Sequence, residues 1–459
     1  MVSASSRAPL DVWMNGERVG AWSPKRSSAS EFQYANDWLD SPHSRALSLS
    51  LPFLPNNASH RGPHVDAWFD NLLPESRQIR NRIRTRFKTP SLDAFDLLAA
   101  IGRDCVGAVQ VLRADAETES VRTIDSHALS SADVARRLRA ATSARLFDAD
   151  DEEDLRISIA GAQGKTALLR LDGTWCVPHA ATPTTHILKL PLGLIGNLQA
   201  DMKDSVENEW LCMQFLAELG FDVADTEIAR FEDDAGEVKA LVVRRFDREF
   251  VEKRSPHDAW IVRLPQEDMC QATGTPPEDK YESDGGPGIP QILNVLHAGL
   301  EPARDAVTFA KAQLAFWLLA APDGHAKNFS IFLKRDGYSM TPLNDVLSAW
   351  PIIGNGPNQW AYQDATLAMA IRGSRPYRAV GRIALRHWKK LALETSVPGA
   401  FEEMVRMIEH AEGALSRVEQ KIPSDFPGHV WERVAHGVRD HRERFLAALV
   451  HDGGGERRS

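Results

Sequence analysis

The stretch APDGHAKNFSIFL (residues 321–333) places polar side chains of four different kinds directly before an apolar run. These side chains are Asp323, His325, Lys327 and Asn328. The apolar run has the composition of a buried strand, and a core strand needs no such group of polar neighbours. The stretch is therefore the first candidate for a reactive site in this chain.

The spacing of two of these residues is informative. Asp323 and Asn328 lie five positions apart, and protein kinases carry an Asp and an Asn at the same separation in the pattern H-R-D-x-x-x-x-N. There the carboxylate accepts or orients the hydroxyl proton of the substrate, while the amide oxygen reaches a magnesium ion on the phosphates. The alternative is structural, with the Asp capping a helix and the Asn lying in a turn.

The residues that follow predict a way to complete such a site. FSIFLKRDGYSMTPL (329–343) contains two strand-like runs around Asp336-Gly337, which is typical of a tight hairpin. The second strand would bring Asn344 and Asp345 back beside the first loop. A kinase needs a second metal-binding Asp at this place.

A loop of small residues lies upstream in SIAGAQGKTALL (158–169). Ala160, Gly161, Ala162 and Gly164 would let backbone amides approach phosphate oxygens. A Walker A loop is one alternative, because Gly164-Lys165-Thr166 resembles its end. That motif requires a glycine where Ile159 stands and a helix afterwards, whereas TALLRLDGTWCV predicts a hairpin. An ordinary β-turn is the other alternative.

Lys189 lies in the short apolar strand HILKLP. A buried ammonium is costly unless it meets an anion, and a nucleotide phosphate would be a natural partner. Glu207 or Glu209 on the following helix could also pair with it. The alternative is an edge-strand lysine that reaches water, and the sequence does not choose between the two glutamates.

Composition limits the class of protein. The 459 residues are 43% hydrophobic and 25% charged, with a net charge of −9, which fits a globular protein of two or three lobes and excludes a general nucleic-acid binder. The four cysteines lie far apart without CxxC spacing, so we expect reduced thiols rather than a zinc site or disulfides. No signal peptide or membrane-spanning run is recognised, and we expect a cytoplasmic protein.

The chain divides by pattern. PLDVWMNGERVGAW (9–22) predicts a hairpin around Asn15-Gly16, LSLSLPF (47–53) a strand, and RQIRNRIRTRF and LDAFDLLAAIG two helices. Residues 114–155 are acidic and predict a joint. A lobe of strands with the helix SVENEWLCMQFLAELGF follows, and helices dominate from about residue 265 to 450.

Taken together, the motifs resemble those of the HipA serine/threonine kinases, the toxin halves of bacterial HipA–HipB toxin–antitoxin modules. The resemblance extends over about residues 9 to 440. The motifs that carry it are, in chain order, VWMNGERVGAW, SLSLPF, FDNLLPE, GRDCVGAV, SIAGAQGKTALL, THILKLP, RRFDRE, LPQEDMCQATG, DGHAKNFS and PLNDVLSAWP.

The resemblance implies a fold and its boundaries. It implies an α+β, two-lobed protein-kinase-like (PI3/4-kinase-like) fold with a mostly helical C-terminal lobe and an extra N-terminal α/β domain. We expect an N-terminal domain at 1–113, an acidic connecting segment at 114–155, an ATP-binding lobe at 156–262, a helical catalytic lobe at 263–452 and a disordered tail at 453–459.

The resemblance also implies roles for residues. Asp323 would be the catalytic base, and Asn328 and Asp345 would hold Mg²⁺. Further roles are the phosphate loop, the phosphate-binding lysine, the hinge that hydrogen-bonds adenine and the lining of the nucleotide site. The residues that would fill these roles are Ala160, Gly161, Ala162, Gln163, Gly164, Lys165, Lys189, Arg244, Arg245, Phe246, His325, Ala326, Lys327, Asn328, Asn344 and Asp345. Arg244 stands where family members often have an acidic residue, and Gly164 where they have a larger one.

Ser158 matches the serine that family members autophosphorylate. A phosphate would add nearly two negative charges to a loop that must hold the phosphates of ATP, so it should switch the enzyme off. Gln266, Glu267 and Asp268 match a further family motif, for which a helix N-terminus is the simple interpretation.

The implied function is a Ser/Thr protein kinase toxin that phosphorylates an aminoacyl-tRNA synthetase to inhibit translation and growth. A HipB-like helix-turn-helix antitoxin would neutralise it, and operator DNA would be contacted mainly through that antitoxin. The alternatives are a small-molecule kinase of similar fold and a catalytically silent corepressor that only binds the antitoxin.

Two basic stretches remain after these assignments. The arginines of RQIRNRIRTRF are better explained as a solvated helix face than as a DNA contact. Lys389 and Lys390 in RHWKK are candidates for touching the DNA backbone. His179 and His186 have no ligand partners at metal-binding spacing and are interpreted as ordinary hydrogen-bonded histidines.

Overall fold

The computed structural model describes residues 8–24, 30–115, 120–142, 164–195, 200–251 and 259–455. The predicted Ser158 and the loop residues Ala160, Gly161, Ala162 and Gln163 lie outside these ranges. All four cysteines are free, as the sequence predicts, and all four are buried. In the described residues no helix is both long enough and apolar enough to span a bilayer.

The N-terminal domain is built on an antiparallel five-stranded sheet in the order β4-β3-β2-β1-β5. Asn15 and Gly16 both have positive φ values (46° and 87°) and close the predicted β1–β2 hairpin. Its elements are β1 (Leu10–Met14), β2 (Glu17–Ser23), β3 (Glu31–Tyr34), α1 (Asn36–Asp40), β4 (His60–Arg61), α2 (Pro63–Asp70), α3 (Arg77–Phe87), α4 (Ala94–Ile101) and β5 (Val109–Arg113).

The strand predicted for residues 47–53 is wrong. The segment forms a tight turn with an isolated bridge between Ser48 and Leu51. The hydroxyl of Ser48 accepts a hydrogen bond from the backbone N–H of Ser50 at 3.0 Å. Such local side-chain bonds compete with a strand ladder, and the turn still buries Leu47 and Leu51.

The second lobe contains an antiparallel six-stranded sheet in the order β12-β13-β9-β7-β8-β6, with α6 beside it. Its elements are β6 (Ser126–Ala128), α5 (Ser131–Thr142), β7 (Lys165–Leu171), β8 (Thr174–Pro178), β9 (His186–Lys189), β10 (Gly193–Ile195), β11 (Ala200–Met202), α6 (Ser205–Glu218), β12 (Thr226–Asp233), β13 (Gly236–Arg244), β14 (Arg248–Val251) and β15 (Trp260–Arg263).

Part of the segment predicted to connect the lobes belongs to this sheet. β6 pairs with β8, and α5 buries Val134 and Leu138 in a cluster with Leu168 and Leu188. The acidic residues of this segment suggested a joint between lobes. The sequence pattern did not reveal the amphipathic helix α5, because the apolar positions of the helix are few and widely spaced.

The third lobe is mostly helical, as predicted. Its elements are β16 (Gln266–Asp268), α7 (Met269–Thr273), α8 (Ile289–His297), α9 (Pro302–Leu318), β17 (Ser330–Lys334), β18 (Gly337–Met340), β19 (Thr366–Arg372), β20 (Pro376–Ala379), α10 (Leu385–Glu394), α11 (Ala400–Glu419) and α12 (Gly428–Gly455). The last helix extends into the segment predicted to be a tail, and residues 456–459 lie outside the described part of the chain.

The apolar clusters show which lobes pack together. The N-terminal domain has its own apolar cluster, which includes Trp22, Phe32 and Phe69. The largest cluster joins α6 of the sheet lobe to the helical lobe through residues such as Leu211 and Phe309. α6 of the sheet lobe and the helical lobe therefore share one apolar core, which fixes their relative position.

Candidate active site

The segment 321–328, called the reactive loop below, begins just after α9. It is closed by its own asparagine. The side-chain amide of Asn328 donates to the backbone oxygen of Asp323 at 2.6 Å and to that of Asp345 at 3.4 Å. The predicted pair thus lies together, and the third residue of the prediction joins it. The amide fixes the loop through Nδ2, which leaves Oδ1 of Asn328 available as a ligand.

Asp345 reaches the site because the segment before it is pinned to the sheet lobe. The backbone N–H of Leu343 donates to the backbone oxygen of Asp222 at 2.9 Å, and that of Ala224 donates to Leu343 at 2.9 Å. Asp345 itself has φ 60°, a conformation that Asp tolerates better than most residues. The predicted β17–β18 hairpin precedes this segment and is confirmed.

The two-glutamate question at Lys189 has a clear answer. The Lys189 ammonium lies 2.7 Å from Glu209 Oε1 and 2.7 Å from Asp345 Oδ1, whereas Glu207 pairs with Lys239. Burial alone would lower the pKa of Lys189, but the carboxylates of Asp345 and Glu209 raise it above its usual value. Lys189 is therefore a buried, charged group on a central strand of the sheet and not an edge-strand lysine in water.

Lys165 adds a second cation beside the first. It opens β7 and faces Lys189 in the β7–β9 pairing. Burial, with the like charge of Lys189, lowers its pKa to about 8. A strand at Lys165, where a Walker A motif requires a helix, excludes that alternative.

Asp345 is held in its charged form by the two lysines. Burial would raise its pKa, but Lys189 and Lys165 hold it well below its usual range. The remaining oxygen of its carboxylate and Oδ1 of Asn328 are hard donors of the type that Mg²⁺ prefers. In the described residues no group of three or more His, Cys, Asp or Glu could hold a metal ion. The two oxygen donors of Asp345 and Asn328 fit a Mg²⁺ ion that takes its other ligands from phosphates and water.

Asp323 has a partner that the sequence pattern did not reveal. The Tyr281 hydroxyl donates a short hydrogen bond to Asp323 Oδ1, and His325 Nε2 lies 3.6 Å from the same oxygen. Desolvation by the surrounding protein is the main reason that the pKa of Asp323 is raised to about 6, and the Tyr281 bond opposes it. Tyr281 lies 42 positions away from Asp323 in the sequence, and no motif marks it.

His325 is buried and neutral. Burial and the nearby Lys280 lower its pKa to about 3. Its ring packs edge-on against Tyr281 with centroids 4.9 Å apart. The backbone of the neighbouring Ala326 donates to the Lys280 oxygen at 3.3 Å. His325 and Ala326 therefore shape the loop, and half-buried Asn344 precedes Asp345 at its side.

The structure places Lys327 differently from the prediction that it lines the nucleotide site. Its ammonium bonds Asn71 and Asp268 instead, and the side chain is only 4% exposed. The family resemblance implied only that Lys327 would line the nucleotide site. Its partner Asn71 comes from the distant N-terminal domain, which no local pattern could show.

The predicted hinge has one exposed and one enclosed arginine. Arg244 is exposed beside Asp225, whereas the Arg245 guanidinium is buried against Asp247 at 2.8 Å. Phe246 packs edge-on against Phe332. The side chain of Arg245 thus faces a buried ion cluster and not a ligand site. The backbone N–H groups of Arg244 and Arg245 already donate to the backbone oxygens of Asp225 and Thr185, each at 2.9 Å.

The PQED motif has a structural role. Asp268 caps α7, with its side chain accepting from the backbone N–H of Gln271 in a capping box. Gln266 donates to Asp247 at 3.3 Å. Glu267 is fully buried and accepts the backbone N–H of Leu49 at 2.9 Å. The simple interpretation as a helix N-terminus is confirmed for Asp268.

Comparison with known proteins identifies the family. Residues 157–422 match the family model described as the HipA-like C-terminal domain, and residues 10–112 match the HipA N-terminal domain. The chain is 32% identical over 416 residues to the putative kinase Y4mE of Sinorhizobium fredii, covering 89% of this chain and 91% of the relative. It is 28% identical over 330 residues to the serine/threonine-protein kinase toxin HipA of Shewanella oneidensis, with 69% of each chain covered.

A solved structure shows the same fold. HipA in the Shewanella oneidensis HipA, HipB and operator DNA complex superposes with a TM-score of 0.76 at 21% identity, covering 96% of this chain and 98% of that one. The two-lobed kinase-like fold with its additional N-terminal domain is thereby confirmed. Together with the two domain matches, these similarities show that the chain belongs to the HipA family of kinase toxins.

Proposed function

We propose that this chain is a Ser/Thr protein kinase that transfers the γ-phosphoryl group of ATP to a protein. The observation that carries the proposal is that the loop with Asp323 and Asn328 meets Asp345 and Lys189, which come from two other segments of the chain. Two cations and two oxygen ligands around one cleft match the needs of phosphoryl transfer, which depends on positioning and charge neutralisation.

Each side chain has a role in the proposed step. Asp323 orients the substrate hydroxyl and accepts its proton as the oxygen bonds to phosphorus and the bond to ADP breaks. Lys189 and Lys165 bind phosphate oxygens. Asn328 and Asp345 would hold Mg²⁺, which when bound neutralises charge on the phosphates.

The remaining nucleotide contacts follow the family resemblance. Backbone groups of Arg244, Arg245 and Phe246 that are not already bonded within the protein would hydrogen-bond adenine. The loop from Ala160 through Gly161, Ala162, Gln163 and Gly164 would cover the phosphates. His325, Ala326 and Asn344 would line the nucleotide site.

Ser158 is the proposed site of autophosphorylation. It precedes the phosphate loop in sequence, so a phosphate there would repel those of ATP and switch the enzyme off. The support is the match to the family serine and the electrostatic argument.

The proposed partners are a HipB-like antitoxin and, mainly through it, operator DNA. The solved Shewanella oneidensis complex contains HipA together with HipB and operator DNA, and this assembly of a relative with the same fold supports the proposal. The proposed target is an aminoacyl-tRNA synthetase in the cytoplasm, whose modification would stall translation.

The test is transfer of radiolabel from γ-labelled ATP to proteins of a cell lysate by the purified chain. We expect a labelled protein band that Asp323→Asn abolishes, because the variant cannot accept the proton but keeps the shape of the side chain. Label on small molecules alone would favour a small-molecule kinase. Intact ATP binding without any transfer would favour a silent corepressor, and either result would overturn the proposal.

A further inference from the structure

The N-terminal domain contacts the reactive loop through Lys327. Lys327 Nζ donates to Asn71 Oδ1 at 2.8 Å, to the Asn71 backbone oxygen at 3.0 Å and to Asp268 Oδ2 at 3.0 Å. An ammonium has three donors, so all of them are used. Because Lys327 is adjacent to the proposed ligand Asn328, this anchor fixes the loop at one end.

Asn71 is built into the domain boundary as a fully used bridge. Its Nδ2 donates to the Ala67 oxygen of α2 at 2.8 Å and to the Thr275 oxygen beyond α7 at 2.8 Å, while Oδ1 accepts from Lys327. The residue is 2% exposed. A buried amide with all of its donors satisfied holds a single orientation.

A second link reaches the proposed base. Lys280 Nζ lies 2.5 Å from Glu75 Oε2, with both side chains largely buried. The next residue, Tyr281, donates its hydroxyl to Asp323, and the Lys280 backbone oxygen accepts from Ala326. Glu75 lies four positions after Asn71, so one short segment of the N-terminal domain serves both links.

We propose that Tyr281 and Lys327 are positioning residues for the reactive loop, and that the N-terminal segment 71–75 holds both of them in place. The inference deepens the proposed function and rests on it for the role of Asp323. The N-terminal domain then contributes to catalysis without touching the substrate. A carboxylate fixed by a phenol on one oxygen keeps the other oriented toward a substrate hydroxyl.

The first experiment separates positioning from structure at Tyr281. Tyr281→Phe removes the hydroxyl and keeps the ring against His325. We expect kcat to fall about 10- to 100-fold with KM for ATP unchanged. Tyr338→Phe is the matched control, because its hydroxyl also bonds one acceptor, the Val295 oxygen, at 2.7 Å. An unchanged kcat in Tyr281→Phe, or a higher one, would contradict the proposal.

The second experiment tests the link through Glu75. Glu75→Gln, Lys280→Met and the double variant form a double-mutant cycle. We expect the double variant to lose no more kcat than the worse single variant, since all three break one contact. Lys421→Met is the control, because it breaks a Lys–Glu pair of the same 2.5 Å length with Glu218 that lies away from the cleft. Additive losses of kcat in the cycle would contradict the proposed link through Glu75 and Lys280.

Hydrogen exchange tests the link between the N-terminal segment 71–75 and the reactive loop independently of activity. In Glu75→Gln and in Lys327→Met, backbone amides of residues 323–328 should exchange about fivefold faster or more, while Lys421→Met leaves them unchanged. Unchanged exchange in both variants would overturn the proposal even if their activity fell. A wild-type chain without any transfer would refute the proposed function, and the exchange data would still decide whether the N-terminal domain holds the loop.

Discussion

Single residues shape the reactive loop because the space around it leaves few choices. Asn328 ties Asp323 to Asp345 through one amide. Gly324 separates the proposed base from His325, and a Cβ atom there would lie 2.5 Å from the Phe316 ring. The D-G-H order is therefore a packing requirement of α9 as much as a chemical signature.

Gly324→Ala should cost about 1–3 kcal/mol of folding stability, because the Phe316 ring is buried and cannot move aside freely. It should also lower phosphoryl transfer, since the loop must shift. Urea unfolding and the radiolabel assay measure the two effects.

Gly413→Ala is the matched control for this change. Gly413 is exposed on α11, and a Cβ atom there would meet only the flexible end of Arg417 at 3.3 Å. That variant should be equal to wild type or more stable by about 0.5–1 kcal/mol. Equal stability of both alanine variants would contradict the packing argument.

Short elements carry the contacts between domains. β16 and α7 are three and five residues long, yet Glu267 on β16 accepts hydrogen bonds from Leu49 and Trp68 of the N-terminal domain. Burial raises the pKa of Glu267 to about 7. A carboxyl group is thus held inside a boundary between two domains, where its charge is unfavourable.

The raised pKa of Glu267 predicts how stability depends on pH. Between about pH 4.5 and 7 the folded state binds more protons at this group than the unfolded state does, so its contribution to stability falls as pH rises. Glu267→Gln should flatten the curve by up to about 3 kcal/mol across that window. Urea unfolding of wild type and variant at several pH values gives the difference.

Glu237→Gln controls for the loss of one carboxylate, because Glu237 is exposed in its pair with Arg230. Its stability curve should run parallel to that of wild type. If the Glu267→Gln curve also ran parallel, the buried carboxyl group would not titrate in this range.

In the whole molecule, a buried ion cluster joins the N-terminal domain to the sheet lobe. Asp104 accepts from Arg248 at 2.9 Å and from Arg245 and Arg263 at 3.3 Å. Burial alone would raise the pKa of Asp104, but the three guanidinium groups hold it well below its usual range. Asp247 supplies the second carboxylate. The domains are therefore connected through charges that cannot be left unpaired.

Asp104→Asn should destabilise the chain by about 3–5 kcal/mol, because it leaves three buried guanidinium groups with one carboxylate. Urea unfolding followed by tryptophan fluorescence measures the loss. Asp425→Asn breaks the exposed pair with Arg230 and should change stability by less than about 1 kcal/mol. A loss of similar size in both variants would show that the cluster does not stabilise the boundary.

Local sequence specifies most of the elements and the members of the cleft. Three kinds of pattern can be recognised in the sequence because they act over short stretches of chain. They are turn residues such as Asn15-Gly16, the periodicity of α3, α6 and α9, and the spacing of Asp323, Asn328 and Asp345. Three-dimensional packing settles that Glu209 rather than Glu207 meets Lys189, that Tyr281 bonds Asp323, and that Lys327 turns toward Asn71. These contacts join polar groups from segments that are distant in the sequence. A buried charge needs a partner because desolvation is costly, but the local sequence does not show which distant residue that partner is.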